Sequence, residues 1–319
     1  MQLGKFRAFL IVYVIVVIIS ATMGIWWQSM LTFAGITAIA SLGMDLAIGY
    51  AGQITLAQPA FVAIGAYSSA ILTTRCNVHP LLGVVAGLVI AGLFSYFLAF
   101  PLVKLRGFYL GLATLGFAEI VSVINHNAIA LTRGTQGITM IPYLSIGPFL
   151  FDSALKQSLL VWFVNLFLIF LCSRLGNSRV GRAYLAIRGD EIAASVRGVD
   201  IRAYRVQAVV ICGLFGAFAG SLNAHVVTTV CPESFSMVLL INYLAIIIVG
   251  GLGTFWGPTI GAVIFNILPE LLPVPLDYMP LIFTVILGIM LLYMPNGIYG
   301  SVCEMLGRFR LTDVIKWKN

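Results

Sequence analysis

From Leu81 to Val103 the chain runs without one charged side chain, and comparable stretches recur along most of the sequence. A helix of about 20 apolar residues spans the ~30 Å hydrocarbon layer of a bilayer, where the backbone must satisfy its own hydrogen bonds. At 61% hydrophobic and 9% charged residues, the 319-residue chain lies far below the ~25% charge of a soluble globule. An all-α polytopic membrane protein is expected. The net charge of +7 then concerns which side of the membrane the cations occupy, and it does not indicate nucleic-acid binding.

Ten spans fit the pattern: Ala8–Trp27, Met30–Ala47, a third within Ile54–Thr74, Leu81–Val103, Phe108 to about Ala130, Gln157–Cys172, Val206–Ala224, Val238–Val249, Gly257–Leu272 and Met279–Met294. Lys5 and Arg7 before the first run could also open a signal peptide, with Ser20-Ala21 near a cleavage point. Read as a span, it ends on Trp26 and Trp27 as interface anchors, followed by a tight turn near Gln28. The connection Leu131–Phe151 carries Gly134, Gly137, Pro142, Gly147 and Pro148 and is expected to be irregular, with room for a short surface helix. Ten spans with an inside amino terminus place fifteen lysines and arginines on the cytoplasmic side and leave Arg75, Arg133 and Lys156 outside. A nine-span chain reduces the split to eleven against seven, so the positive-inside bias favours ten and puts both termini in the cytoplasm. The chain then divides into residues 1–172 with six spans, a loop over 173–205, four spans over 206–296, and a basic tail over 297–319. Leu306, Phe309 and Trp317 give that tail either a surface-lying or a plainly solvated reading.

The 173–205 loop holds ten of the twenty-nine charged residues. Inserting them would cost on the order of 30 kcal/mol, so the loop stays in water. Its punctuation spells two short helices. Val180–Arg188 forms about two turns with Leu185 and Ala186 on one side, and Gly189 offers a left-handed stop. Asp190 reads as the next N-cap, with Glu191 in the first turn, Arg197 in the last, Gly198 as the second stop and Asp200 capping the following span. Such capping suits a docking surface for another protein; a loop whose arginines merely fix topology is the plainer alternative.

Two stretches interrupt the apolar pattern. Gly49, Gly52, Gln53, Thr55, Gln58 and Pro59 stand where a lipid-facing helix would carry leucines, and Gly250, Gly251, Gly253 and Thr254 with Gly257-Pro258 do the same. Broken backbone at membrane depth must be buried in protein or line a cavity, and paired interruptions point to a transport path. Glycines that let helices pack closely explain them equally well. Glu119, with Thr114 five residues before it, is the carboxylate well inside a span, and it serves either the path or a structural hydrogen bond. Asp45, Glu270 and Asp277 fall near span ends and are expected to be solvated.

Other chemistry finds no support in the sequence. Cys76, Cys172, Cys212, Cys231 and Cys303 show no C-x-x-C spacing, and a Cys76–Cys231 disulfide is conceivable only because both fall on the outer side. His79, His126 and His225 lack metal-ligand spacing. No lysine sits in a phosphate-binding loop and no nucleophile elbow or H-E-x-x-H pattern occurs, so neither ATP binding nor catalysis is expected of this chain.

Several separate stretches together resemble the LivM-type permease subunits of ABC importers for branched-chain amino acids. They are Gly49-Tyr50-Ala51-Gly52-Gln53, Gly65-Ala66-Tyr67, Leu105-Arg106-Gly107-Phe108-Tyr109, Thr114-Leu115-Gly116-Phe117-Ala118-Glu119-Ile120, Gly134 with Gly137-Ile138, and Gly250-Gly251-Leu252-Gly253 with Gly257-Pro258. In the loop, Arg179-Val180-Gly181-Arg182-Ala183 and Asp190-Glu191-Ile192-Ala193-Ala194 with Gly198 are similar to that family's coupling segment. The resemblance implies that Arg182, Arg188, Asp190, Glu191, Ala193, Ala194 and Gly198 meet an ATPase subunit. It also implies two ATPase subunits holding ATP and magnesium, a paralogous permease subunit, an external or periplasmic solute-binding protein, and a place in the bacterial inner membrane. Two departures stand out: Ile192 intervenes in the coupling pattern, and Gln58-Pro59 replaces the family's frequent His-Ala. The solute class therefore extends to urea and amides. An ion-coupled secondary transporter and a non-transporting scaffold remain as alternatives, the first short of coupling-ion groups and the second without use for broken spans.

Overall fold

The computed structural model describes residues 24–105, 107–147, 149–271 and 297–305, with Tyr13, Val17 and Gly288. Most of the expected first span, the tenth span, Lys5, Arg7, Arg106, Asp277 and the tail from Leu306 onward lie outside the described residues.

Helix α1, Ile25–Asp45, starts at Gly24 and runs into one π-helical turn, Leu46–Tyr50. Gln28 lies inside α1, its N–H held by the Gly24 carbonyl, so the chain does not reverse there as expected from sequence. After an extended segment, α2 covers Gln58–Arg75, with Pro59 in its first turn, where a missing N–H costs nothing. Next come α3, Pro80–Leu102, and α4, Phe108–Asn127, followed by the turns of the connection to the next long helix. That connection holds one helical turn at Ile129–Thr132 and a small hairpin, β1 Ser145–Ile146 with β2 Phe149–Leu150, which sequence reading missed. Helix α5, Ala154–Gly176, leads to the loop helices α6, Arg179–Gly189, and α7, Glu191–Val196. Then follow α8, Ile201–Val227, α9, Met237–Gly250, α10, Gly257–Leu271, and α11, Gly297–Met305. Helix α11 occupies residues read as the start of the tail, and it packs on α9 and α10.

Five of the described helices are long and apolar enough to cross a membrane: α1 with its π turn, α3, α4, α5 and α8. Helices α9 and α10 are apolar but shorter. α1 and α8 are buried along most of their length and form the centre, whereas α3, α4 and α5 are largely exposed on their outer faces. Lipid tails are as apolar as leucine, so packing and interhelical hydrogen bonds hold such a bundle. At the α2–α8 crossing a Cβ on Gly220 would lie 1.9 Å from the Val62 carbonyl oxygen, and one on Gly65 would lie 2.2 Å from that of Ala217. Both backbones touch because neither carries a side chain there. Across α1 and α5, Trp162 Nε1 donates to the Leu31 carbonyl at 3.0 Å and Asn165 Nδ2 to that of Gly35 at 3.1 Å.

At the far end from the loop, His225 is buried between two elements. Its Nδ1 donates to the Pro142 carbonyl at 2.7 Å, and its Nε2 accepts from the Ser69 hydroxyl at 2.8 Å. With the Ile138–Val230 bridge, this pins the connection after α4 onto the bundle. Cys76 and Cys231 are free thiols.

Candidate functional site

The loop helices show why capping residues sit where they do. Ser178 caps α6 by accepting from the Val180 and Gly181 N–H groups. The end of α6 differs from expectation: Gly189 is its last helical residue and has no left-handed φ. The stop is made by Asp190, whose extended backbone leaves α6 while its carboxylate accepts from the Ile192 and Ala193 N–H groups and starts α7. Gly198 at φ +80 does close α7, and Asp200 caps α8 through the Ala203 N–H. Of the pair Leu185 and Ala186, Leu185 packs at the edge of the core while Ala186 is exposed. Gly181, Ala183, Tyr184 and Ile187 are buried, and Arg188, four residues beyond Tyr184, shares that side. Burial lowers the pKa of the Arg188 guanidinium, opposed by the nearby Asp45 and Tyr50.

The coupling candidates therefore separate. Arg182 is exposed and donates to the Asn177 carbonyl at 3.2 Å. Asp190, Ala193 and Gly198 are exposed, while Ala194 is buried. Glu191 pairs with Arg205, which also donates to the Val103 carbonyl at 3.1 Å, so this acid ties α7 to the bundle.

The two broken stretches meet each other. Asp45, expected in solvent, is 1% exposed and accepts a hydrogen bond from the Gly253 N–H at 2.8 Å. A Cβ on Gly49 would lie 2.5 Å from Gly253 N, and Tyr50 stacks on Phe255 with ring centroids 4.7 Å apart. Gly250 presses on Gly257, where a Cβ would lie 1.9 Å from the carbonyl oxygen, and Gly251 ends α9 at φ +121. Thr254 bridges the gap between helices: its hydroxyl donates to Gly251 at 2.6 Å and accepts from the Gly257 N–H at 3.0 Å. Gly49, Gly250, Gly251, Gly253 and Thr254 thus form a packed, buried junction among the described residues.

The remaining path candidates lie along 51–58. Gly52 and Ile54 are exposed while Gln53 and Thr55 are buried, the period of two that extended backbone imposes. Gln53 Nε2 and Thr55 Oγ1 find no hydrogen-bond partner among the described residues. Such unused polar capacity costs roughly 1–3 kcal/mol per group. Gln58 is fully satisfied, donating to the Ala40 carbonyl at 2.6 Å and accepting from the Cys212 thiol at 2.8 Å. Thr114 accepts from the Leu56 N–H at 2.9 Å and so holds the extended segment against α4. A cavity of about 10 Å³ touches Gln53, Thr114 and Arg205, enough for about one water and far too small for an amino acid. Glu119 lies on the exposed face of α4 beside Leu112, Ile120 and Val123, with no hydrogen bond or ion pair among the described residues.

Apolar membrane-length helices, two mutually packed breaks and a capped polar loop define a polytopic helical membrane protein. A family model described as the permease component of branched-chain amino acid transport systems matches residues 26–295. The chain belongs to that family. It is 31% identical over 294 residues to the high-affinity branched-chain amino acid transport system permease protein LivM of Escherichia coli strain K12, covering 84% of this chain and 68% of that protein. It is 23% identical over 322 residues to a probable branched-chain amino acid transport permease protein LivM of Methanocaldococcus jannaschii, covering 84% and 91%. The ribose import permease protein RbsC of Escherichia coli strain K12 is 23% identical over 242 residues, 73% of each chain. No solved structure matches.

Proposed function

We propose that this chain is a transmembrane subunit of an ABC importer for branched-chain amino acids, working with two ATPase subunits that bind ATP and magnesium. The carrying observation is α7: Ile192 at 72% and Val196 at 83% exposure lie one turn apart on a helix fixed at both ends and surrounded by charge. Apolar side chains held out in that way suit a partner protein, and a sequence without a phosphate-binding loop fits ATP being bound by that partner. About ten spans in a bacterial inner membrane, with the 173–205 loop and both termini in the cytoplasm, follow from the distribution of lysines and arginines.

Glu119 supports a path along α4. An ionisable group on a membrane span faces protein or water, and this one is exposed among the described residues. A second permease subunit, most simply a paralogue, closes the path against α4, with Gly52 and Ile54 at its edge and Gln53 and Thr55 behind them. The relatives' names supply the solute class, and an external binding protein selects the solute. The test is uptake of labelled leucine into proteoliposomes holding all the subunits. Uptake that requires ATP and the binding protein supports the reading; uptake by this chain alone, driven by a proton or sodium gradient, overturns it.

A further inference from the structure

Arg188 differs from the exposed arginines of the loop. Its stem crosses Gly52, where a Cβ would come within 3.0 Å of Arg188 Cγ, and its guanidinium donates to the Gly49 carbonyl. That carbonyl is available because the helix breaks: the Gln53 N–H, which would serve it in a continuing helix, donates instead to Ala47 at 2.8 Å. Arg188 Nη1 also lies 3.2 Å from where a Cβ on Gly253 would stand. On the other side of the same junction, Asp45 satisfies the Gly253 N–H at 2.8 Å. One cation from the loop and one carboxylate from α1 therefore each satisfy a backbone group in one of two broken segments some two hundred positions apart, and their charges act on each other.

We infer that Asp45 and Arg188 form an internal joint that carries displacement of α6 to both broken segments, making Arg188 a positioning residue for transport and not a contact for the ATPase. A guanidinium suits this role because its planar, preorganised donors fix direction as well as distance. The inference rests on the ABC-importer reading above. A purely structural pair behaves differently: replacing a buried ion pair with uncharged residues is often neutral, whereas removing one partner is damaging.

The experiment compares Asp45→Asn, Arg188→Met, the double variant and Arg188→Lys in the full complex, reading complex yield and leucine taken up per ATP hydrolysed. Each neutralising single variant is expected to lower yield, and the double variant to restore it. Uptake per ATP in the double variant is expected to stay depressed by about tenfold, a size usual for coupling between sites. Restored yield together with a wild-type ratio would show the pair to be scaffolding only. Should the double variant fail to assemble, Arg188→Lys, which keeps the charge and loses the fork, carries the test: a reduced ratio is expected, and a wild-type ratio overturns the joint. The wild-type complex is the control for the underlying reading, since its failure to couple ATP to uptake would sink that reading, while a variant result alone leaves it standing.

Discussion

Gly198 offers a graded perturbation whose size follows from local geometry. Its N–H donates to the Ser195 carbonyl at 2.9 Å, and the Val199 N–H reaches back to Ala194 at 3.1 Å, the paired bonds of a Schellman closure. A Cβ at Gly198 would meet nothing within 4 Å, so a substitution pays only in backbone conformation. Holding an ordinary L-residue left-handed costs roughly 1–2 kcal/mol, less for asparagine and more for a β-branched residue. Helix α7 has six residues and little stability of its own, so that cost falls directly on its docked shape. A change of this size shifts the ordered fraction about 5- to 30-fold.

If the partner recognises that shape, leucine uptake per ATP should fall in the order Gly, Asn, Ala, Val at position 198. Gly189→Ala is the internal control: the site is equally open but not left-handed, so the change should be neutral or slightly stabilising. Equal ratios across the series would refute the argument. So would asparagine doing worse than valine, which would mean that the partner senses side-chain bulk and not backbone.

Other expectations can be checked separately. Gly220→Val forces apart the α2–α8 crossing, where a Cβ already lies 1.9 Å from the Val62 carbonyl oxygen; a loss above ~1–3 kcal/mol should appear as aggregation on size-exclusion chromatography. Trp162→Phe removes the bond to Leu31 and should cost about 0.5–1.5 kcal/mol, seen as a lowered Tm in detergent. Glu119→Leu should leave the isolated subunit's Tm unchanged, because the acid has no partner in the described chain, and should reduce uptake or pairing with the second permease; a lowered Tm would mean a structural acid. A cysteine at Asn177 should label from the cytoplasm and one at Ser234 from outside; the reverse pattern would invert the proposed topology.

What could be read in advance was what depends on neighbours along the chain. Asp190, Gly198 and Asp200 act on N–H and C=O groups within five residues, so their roles followed from spacing alone. Gly189 misled because glycine permits a left-handed stop without requiring one, and the extended Asp190 ended α6 first. Arg188 carried a usable signal that was passed over: it follows Gly181 and Tyr184 on one helical stripe, and those two residues are buried.

Asp45 shows where local reading stops. Its placement at a span end made solvent the natural expectation, yet Leu46-Ala47-Ile48 continues the apolar run beyond it, which is not how a span meets water. A carboxylate inside such a run requires a donor, and here the donor is a backbone N–H more than two hundred positions away, freed because Gly253 lies in a break. The two glycine-rich breaks were individually ambiguous between close packing and a path, and their contact joins the two readings. Gly49 and Gly253 are bare so that the segments can touch, and that contact allows Asp45 and Arg188 to hold both. A device of this kind has no signature at either site alone, because each break supplies half of the hydrogen bonds and the loop supplies the cation.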